Sequence, residues 1–277
     1  MTSQTPTSNW GIVRRLVSSG TIETAGTFLK DRMMQALTQL GVACEGRAPL
    51  EIGLEVNRIL EDPDALRSLS DKQVAVLRGQ FPLEDRLSAP VMAVAKEVVE
   101  SRLLESIIGP AELVRMHMPL MARFVLPGNG GAGVPAHTDS QYNNHMSDFV
   151  TVWIPLVPVD GDCGGVRIFE GARADQTMLS DPALNAAFTS GATRDWHSGL
   201  DTSGLARFEC IPMEPADALY FRPLVVHESM ANRSARIRFS LDMRFLLSGA
   251  TTTKTTFDFA SGRTINPVEE EENAHGN

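Results

Sequence analysis

Arg236-Ile237-Arg238-Phe239-Ser240-Leu241-Asp242-Met243-Arg244-Phe245 alternates polar and apolar side chains from end to end. A period of two marks a strand, because successive side chains leave the pleat on opposite faces. Ile237, Phe239, Leu241, Met243 and Phe245 therefore form a core-facing side. On the other side Arg236 and Arg244 read as a solvated strand face, whereas Arg238 and Ser240 point to chemistry taken up below. Residues 113–118, 121–126, 149–159, 165–169 and 218–221 are further short runs bounded by turn residues, and each predicts a strand; the last strand is predicted over 236–247. No helices alternate with these runs. The expected fold is mainly β, a sandwich or jelly roll rather than a parallel sheet.

The preceding residues read as helices. Up to about residue 10 the chain is polar and predicts no element. Phe28, Leu29, Met33, Leu37 and Leu40 recur at helical spacing over 24–40, and Gly41 is a natural stop. Residues 41–44 predict a short strand and 50–60 a helix. Asp62 as cap and Pro63 in the first position predict a helix over 62–69, and Ser70 caps another over 71–78. One long helix is expected over 90–108, from the stripe Val91, Val94, Val98, Val99, Leu103 and Ile107. The expected organisation is one domain over 1–277. A mainly helical layer spans about 11–110, a jelly-roll core about 111–250, and a loose acidic tail about 251–277, with Glu269-Glu270-Glu271-Glu272 in it.

Of the 277 residues, 43% are hydrophobic and 21% charged, which is enough apolar material for a sizeable core. A net charge of −9 argues against nucleic acid or an anionic membrane as partner, since both require a basic face. Cys44, Cys163 and Cys210 are too few and too scattered for a disulfide framework. No signal-peptide pattern and no apolar run approaching about 18 residues is visible. The expectation is a soluble, cytoplasmic protein acting on a small molecule, with its oligomeric state left open.

Val134-Pro135-Ala136-His137-Thr138-Asp139-Ser140 follows the glycine-rich turn Gly128-Asn129-Gly130-Gly131-Ala132-Gly133. In an extended segment residues i and i+2 share a face, so His137 and Asp139 aim at one point, and His227 from a distant strand completes a set. A single His-x-Asp is often no more than a structural pair. Two histidines and one carboxylate on one side of a metal leave positions open opposite, the arrangement of non-haem Fe(II) oxygenases. Arg238 and Ser240 share a strand face and follow His227 by eleven and thirteen positions, where a returning strand would carry them to the far end of a ligand chelated at that metal. The planar fork of arginine pairs with a carboxylate, and a serine hydroxyl adds one more donor.

Taken together these residues resemble the phytanoyl-CoA dioxygenase-like branch of the Fe(II)/2-oxoglutarate-dependent oxygenases, over roughly residues 113–245. The resemblance lies in the glycine-rich loop entering His137-Thr138-Asp139-Ser140 and in Phe149-Val150-Thr151-Val152-Trp153-Ile154-Pro155-Leu156 with the turn Asp162-Cys163-Gly164-Gly165. It continues in His227-Glu228-Ser229, Asn232 and Arg238-Phe239-Ser240. Phe169-Glu170-Gly171-Ala172 departs from the family's usual Pro-Gly-Ser-His. The resemblance implies a double-stranded β-helix, Fe(II) held by His137, Asp139 and His227, and 2-oxoglutarate anchored by Arg238 and Ser240. It also implies contacts to the co-substrate from Thr151 and Trp153, whose alternative is ordinary core packing.

The implied reaction oxidises a bound small molecule with O2 and releases succinate and CO2. Halogenating relatives have a small residue where Asp139 stands, so hydroxylation, desaturation or cyclisation is implied instead. A cupin-like metal-dependent isomerase or a small-molecule binding protein is the alternative, and neither requires Arg238 and Ser240 so placed. His117, Arg123, His145 and His197 are candidates for the substrate pocket or a lid, though most loop residues are bystanders. No basic cluster suited to CoA phosphates is visible, so the expected substrate is a small metabolite or natural-product intermediate.

Overall fold

The structure is a computed structural model that describes residues 9–170, 202, 205–208 and 210–267. His197, Gly171, Ala172 and the acidic run 269–272 lie outside the described residues. The helices are α1 (Ser19–Gln39), α2 (Pro49–Glu61), α3 (Pro63–Ser68), α4 (Asp71–Leu77), α5 (Leu83–Arg86), α6 (Ala89–Glu100), α7 (Glu105–Ile108) and α8 (Asp139–Tyr142). The strands are β1 (Trp10–Val13), β2 (Arg115–His117), β3 (Met121–Val125), β4 (Phe149–Pro155), β5 (Val166–Glu170), β6 (Ala206–Phe208), β7 (Ala218–Phe221), β8 (Val226–Ser229), β9 (Arg238–Leu246), β10 (Thr256–Asp258) and β11 (Arg263–Ile265). Eight strands form one sheet in the order β1-β7-β4-β9-β2-β10-β11, with β3 also paired to β9; the other three form the sheet β6-β5-β8. All pairings are antiparallel, and the fold is the expected jelly roll behind a helical layer.

β9 organises the large sheet. It pairs with β4 from Phe149↔Leu246 to Pro155↔Ser240, with β2 at Met116↔Phe245, and with β3 from Met121↔Asp242 to Val125↔Arg238. Its apolar row (Phe239, Leu241, Met243, Phe245) joins Val150, Val152 and Ile154 of β4 in one core cluster with Leu29, Met33 and Leu37 of α1 and Val91, Val94 and Val98 of α6. Full burial of each such side chain contributes about 1.5–3 kcal/mol. This contact fixes the sheet against the helices and leaves the other face of β4 and β9 for the cavity.

Local chemistry explains where the elements differ from expectation. α1 begins earlier than predicted because the Ser18 hydroxyl accepts from Thr21 N and caps it. The single helix expected over 90–108 is broken at Ser101, whose side chain accepts from Leu103 N and starts a separate turn before α7. Residues 41–44 form no strand. Trp10, expected in a polar lead-in, opens β1 on the edge of the large sheet opposite Phe221. The tail contributes β10 and β11, a short hairpin added beside β2, so its first part belongs to the sheet. No helix among the described residues is long and apolar enough to cross a membrane.

Candidate metal centre

The loop after the glycine-rich turn is stitched onto β8. His137 N donates to His227 O and His227 N to His137 O, both at 2.9 Å, while Ser229 N donates to Val134 O at 2.9 Å. Thr138 remains extended and caps α8, its N–H donating to Gln141 Oε1 at 2.9 Å, so Asp139 starts that one-turn helix beside His137. His137, Asp139 and His227 are all buried, and one ligand atom from each lies within 4.8 Å of the others.

The two imidazoles are held alike. Nδ1 of His137 lies 2.8 Å from Pro135 O, and Nδ1 of His227 lies 3.0 Å from Val225 O. A carbonyl can only accept, which puts a proton on Nδ1 in both rings and leaves Nε2 as the ring atom turned to the cluster. Metal-binding histidines are oriented in this way by their outer hydrogen bond. Burial, reinforced by His227, pushes the His137 pKa down to about 3 and keeps the ring neutral, the form a metal ion requires.

Asp139 is held at both oxygens. Oδ1 accepts from Arg244 Nη2 at 3.0 Å, and Oδ2 accepts from the Thr151 hydroxyl. Burial alone would raise its pKa, but the Arg244 guanidinium and the two histidines outweigh that and hold the carboxyl below its ordinary range. Arg244 is partly buried, and Asp139 and Asp242 more than offset the desolvation and raise its pKa.

A cavity of about 210 Å³ opens on this cluster and is lined from both sheets, by Trp153, Arg238 and Ser240 on one side and Val166, His227 and Ser229 on the other. Arg238 is 1% exposed, its Nη1 donates to Gly164 O, and its Cζ lies 6.0 Å from the centre of the Trp153 ring. Gly164 has φ +76°, and a Cβ there would stand 2.7 Å from Met230 O, so the turn that presents this carbonyl requires glycine. Burial, with the charge of Arg123 added, lowers the Arg238 pKa to about 9, which still leaves a cation at neutral pH. Thr151 is fully buried with its hydroxyl on Asp139, and it is not among the residues lining the cavity.

Arg244 corrects the sequence reading. Expected on a solvated strand face, it is enclosed and ion-paired to Asp139 at 3.0 Å and Asp242 at 3.4 Å. Alternation identifies a strand but not which face meets water; here the apolar face lies under helices and the polar face inside the roll. Arg236, by contrast, is solvated and pairs with Asp160 at 2.9 Å. Sequence reasoning also missed Asp242 and Gln80 at the cavity wall. Asp242 was detectable in the same two-residue row as Arg238, whereas Gln80 arrives from the helical layer through a bridge to Arg123 and carried no local signal. Arg123 does line the cavity. His117 and His145 stand ring to ring at 4.8 Å and are not among its lining residues.

Residues 31–240 match a family model described as phytanoyl-CoA dioxygenase (PhyH). The 1-deoxypentalenic acid 11-beta-hydroxylases of Streptomyces arenae and Streptomyces exfoliatus are each 32% identical over 116 residues, 40% of this chain and 40% of the relative. The aligned stretch therefore spans less than half the length of these curated relatives. Among solved structures, AviO1 from Streptomyces viridochromogenes Tue57 superposes with a TM-score of 0.50 at 14% identity, over 87% of this chain and 91% of that one, a likeness of fold.

Proposed function

The chain belongs to the phytanoyl-CoA dioxygenase family, and on that premise we propose that it is an Fe(II)- and 2-oxoglutarate-dependent oxygenase. Its reaction is the hydroxylation, desaturation or cyclisation of a small metabolite or natural-product intermediate, with release of succinate and CO2. The observation that carries this reading is the matched pair of imidazoles, each with Nδ1–H on its own chain carbonyl and Nε2 turned to the cluster, beside an ionised Asp139. Two neutral nitrogens and one carboxylate oxygen suit a first-row divalent ion and leave the opposite side open.

His137, Asp139 and His227 would hold the iron, which with 2-oxoglutarate and O2 supplies the oxidising power. The chain's own residues bind and orient. Arg238 takes the far carboxylate of 2-oxoglutarate, and Ser240 adds a hydroxyl donor on the same face. Thr151 and Arg244 fix Asp139 from behind, while the Trp153 indole walls the cavity against water. The hydroxylases among its relatives act on 1-deoxypentalenic acid, which supports a natural-product intermediate here. Three unpaired cysteines support a reducing, cytoplasmic setting.

The test is an anaerobic titration with Fe(II) and 2-oxoglutarate, following the weak visible charge-transfer band of the chelate. Wild type develops the band, while His137→Ala and Arg238→Ala lose or weaken it. If metal binds and no band forms, the protein is a cupin-like isomerase or binding protein instead.

A further inference from the structure

We propose that Arg123 is a second carboxylate-binding cation of this cavity and that the oxidised substrate is a small organic acid seated on it. The proposal rests on the oxygenase reading and adds the substrate's chemical class.

It follows from how charge is shared among the lining residues. Arg123, Arg238 and Arg244 face two carboxylates, Asp139 and Asp242. Arg244 pairs with both carboxylates, at 3.0 and 3.4 Å, and Asp242 also acts electrostatically on Arg123 without a hydrogen bond to it. Among the described residues Arg238 has only the Gly164 carbonyl, and Arg123 only two carbonyls, Ala132 O at 2.9 Å and Arg78 O at 3.3 Å. The Nε atoms of both are buried without a partner. Arg123 is partly buried and feels only the Asp242 carboxylate that Arg244 already engages, so three cations over two carboxylates leave an excess of positive charge that is costly unless ligands bring anions. A divalent ion and Arg244 exceed Asp139 and Asp242 by one positive charge, which the near carboxylate of 2-oxoglutarate offsets. Its far carboxylate offsets Arg238. One positive charge is left over, and among the three arginines Arg123 is the one with neither a carboxylate hydrogen bond nor a co-substrate carboxylate.

Placement agrees with this count. Arg123 lies on β3 opposite Ser240, on the side of β9 away from β4 and Trp153, whereas Arg238 leans over Trp153. Both bonds of Arg123 to the chain use Nη2, which fixes the fork while the remaining donors stay available. Gln80, bridged to Arg123, lines the same wall and adds an amide. A carboxylate is the anion whose two oxygens match a guanidinium edge.

Calorimetry on protein loaded with Mn(II) and saturated with 2-oxoglutarate, where no turnover occurs, tests the idea with cyclohexanecarboxylate and its primary amide as probes. Wild type should bind the acid at least about tenfold more tightly than the amide, the usual size of a charge-assisted contact. Arg123→Gln should bring that ratio close to one and leave 2-oxoglutarate affinity within about twofold, while Arg123→Lys should retain part of the preference. Arg238→Gln should do the reverse and weaken 2-oxoglutarate. If Arg123→Gln weakens 2-oxoglutarate as much as Arg238→Gln does, Arg123 serves the co-substrate and the proposal is overturned. Equal binding of acid and amide by wild type, or binding of neither, also overturns it. Absence of Mn(II)-dependent 2-oxoglutarate binding in wild type would instead remove the oxygenase reading itself.

Discussion

On one face of β9, Phe239, Leu241, Met243 and Phe245 pack against α1 and α6; on the other, Arg238, Ser240, Asp242 and Arg244 line the cavity. Both faces are withdrawn from water, by different physics. The apolar face is held by non-directional burial, which tolerates changes of shape that conserve volume. The polar face is held by ion pairs and hydrogen bonds in which each group depends on a specific partner, so losing one member leaves another buried and uncompensated. Damage to the apolar face should therefore appear as stability, and damage to the polar face first as ligand binding.

Arg244→Met is the sharpest test of that contrast. It removes the cation shared by Asp139 and Asp242 and leaves a buried carboxylate facing a partly buried one. The expected loss is about 3–5 kcal/mol in unfolding free energy, as for other broken buried pairs. Divalent-metal affinity should also fall by about 10–100-fold, the usual effect of losing an outer partner of a metal ligand. Arg236→Met, on the exposed stretch just before β9, should cost no more than about 1 kcal/mol and leave metal affinity alone. Urea unfolding and metal titration on the two variants decide the matter. Equal, mild effects would return Arg244 to a solvated face.

Leu241→Ala should show the opposite signature. Leu241 is fully buried in the cluster between sheet and helices. Truncation should cost about 2–5 kcal/mol through lost burial and the space left behind. Mn(II) and 2-oxoglutarate affinities, measured below the unfolding transition, should stay within about twofold, because the Leu241 side chain packs on the helix-facing side of the sheet and not in the cavity. A large loss of co-substrate affinity in this variant would show that the two faces are coupled through the strand.

The same contrast explains what could be read from the chain beforehand. Strand β9, the helix stripes and the candidate pair His137 and Asp139 were legible because each is a local pattern: a period of two, a period near 3.6, or a short spacing of metal-binding residue types. Strands β1, β6, β8, β10 and β11 were not, since none stands out as an apolar run of its own and each is defined by its neighbour in the sheet. β8 matters most, as it brings His227 to His137, 90 positions earlier in the chain. The role of Arg244 was hidden for a related reason. Its partner Asp139 lies 105 positions away, and no local pattern distinguishes a polar row facing water from one facing a closed roll.

The smallest expected effect lies at the edge of the polar face. The register that pairs Met116 with Phe245 puts His117 on the side of Arg244, with its Nδ1 buried and unpartnered and its ring 4.8 Å from His145. Burial first, then the neighbouring His145, Arg244 and Lys254, push the His117 pKa down to about 4. An unfolded histidine titrates near about 6.5. Between those values the unfolded chain binds the proton more readily than the folded one, so stability is complete above about pH 6.5 and declines as pH falls toward 4. His117→Phe removes that titration while keeping a ring in place. Its stability relative to wild type should therefore improve steadily from pH 7 to pH 4.5 in matched urea titrations. The Leu241→Ala deficit, which involves no ionisable group, should stay constant over the same range. A His117→Phe difference that does not move with pH would mean that this imidazole is solvated, and the polar face would then end at Arg244.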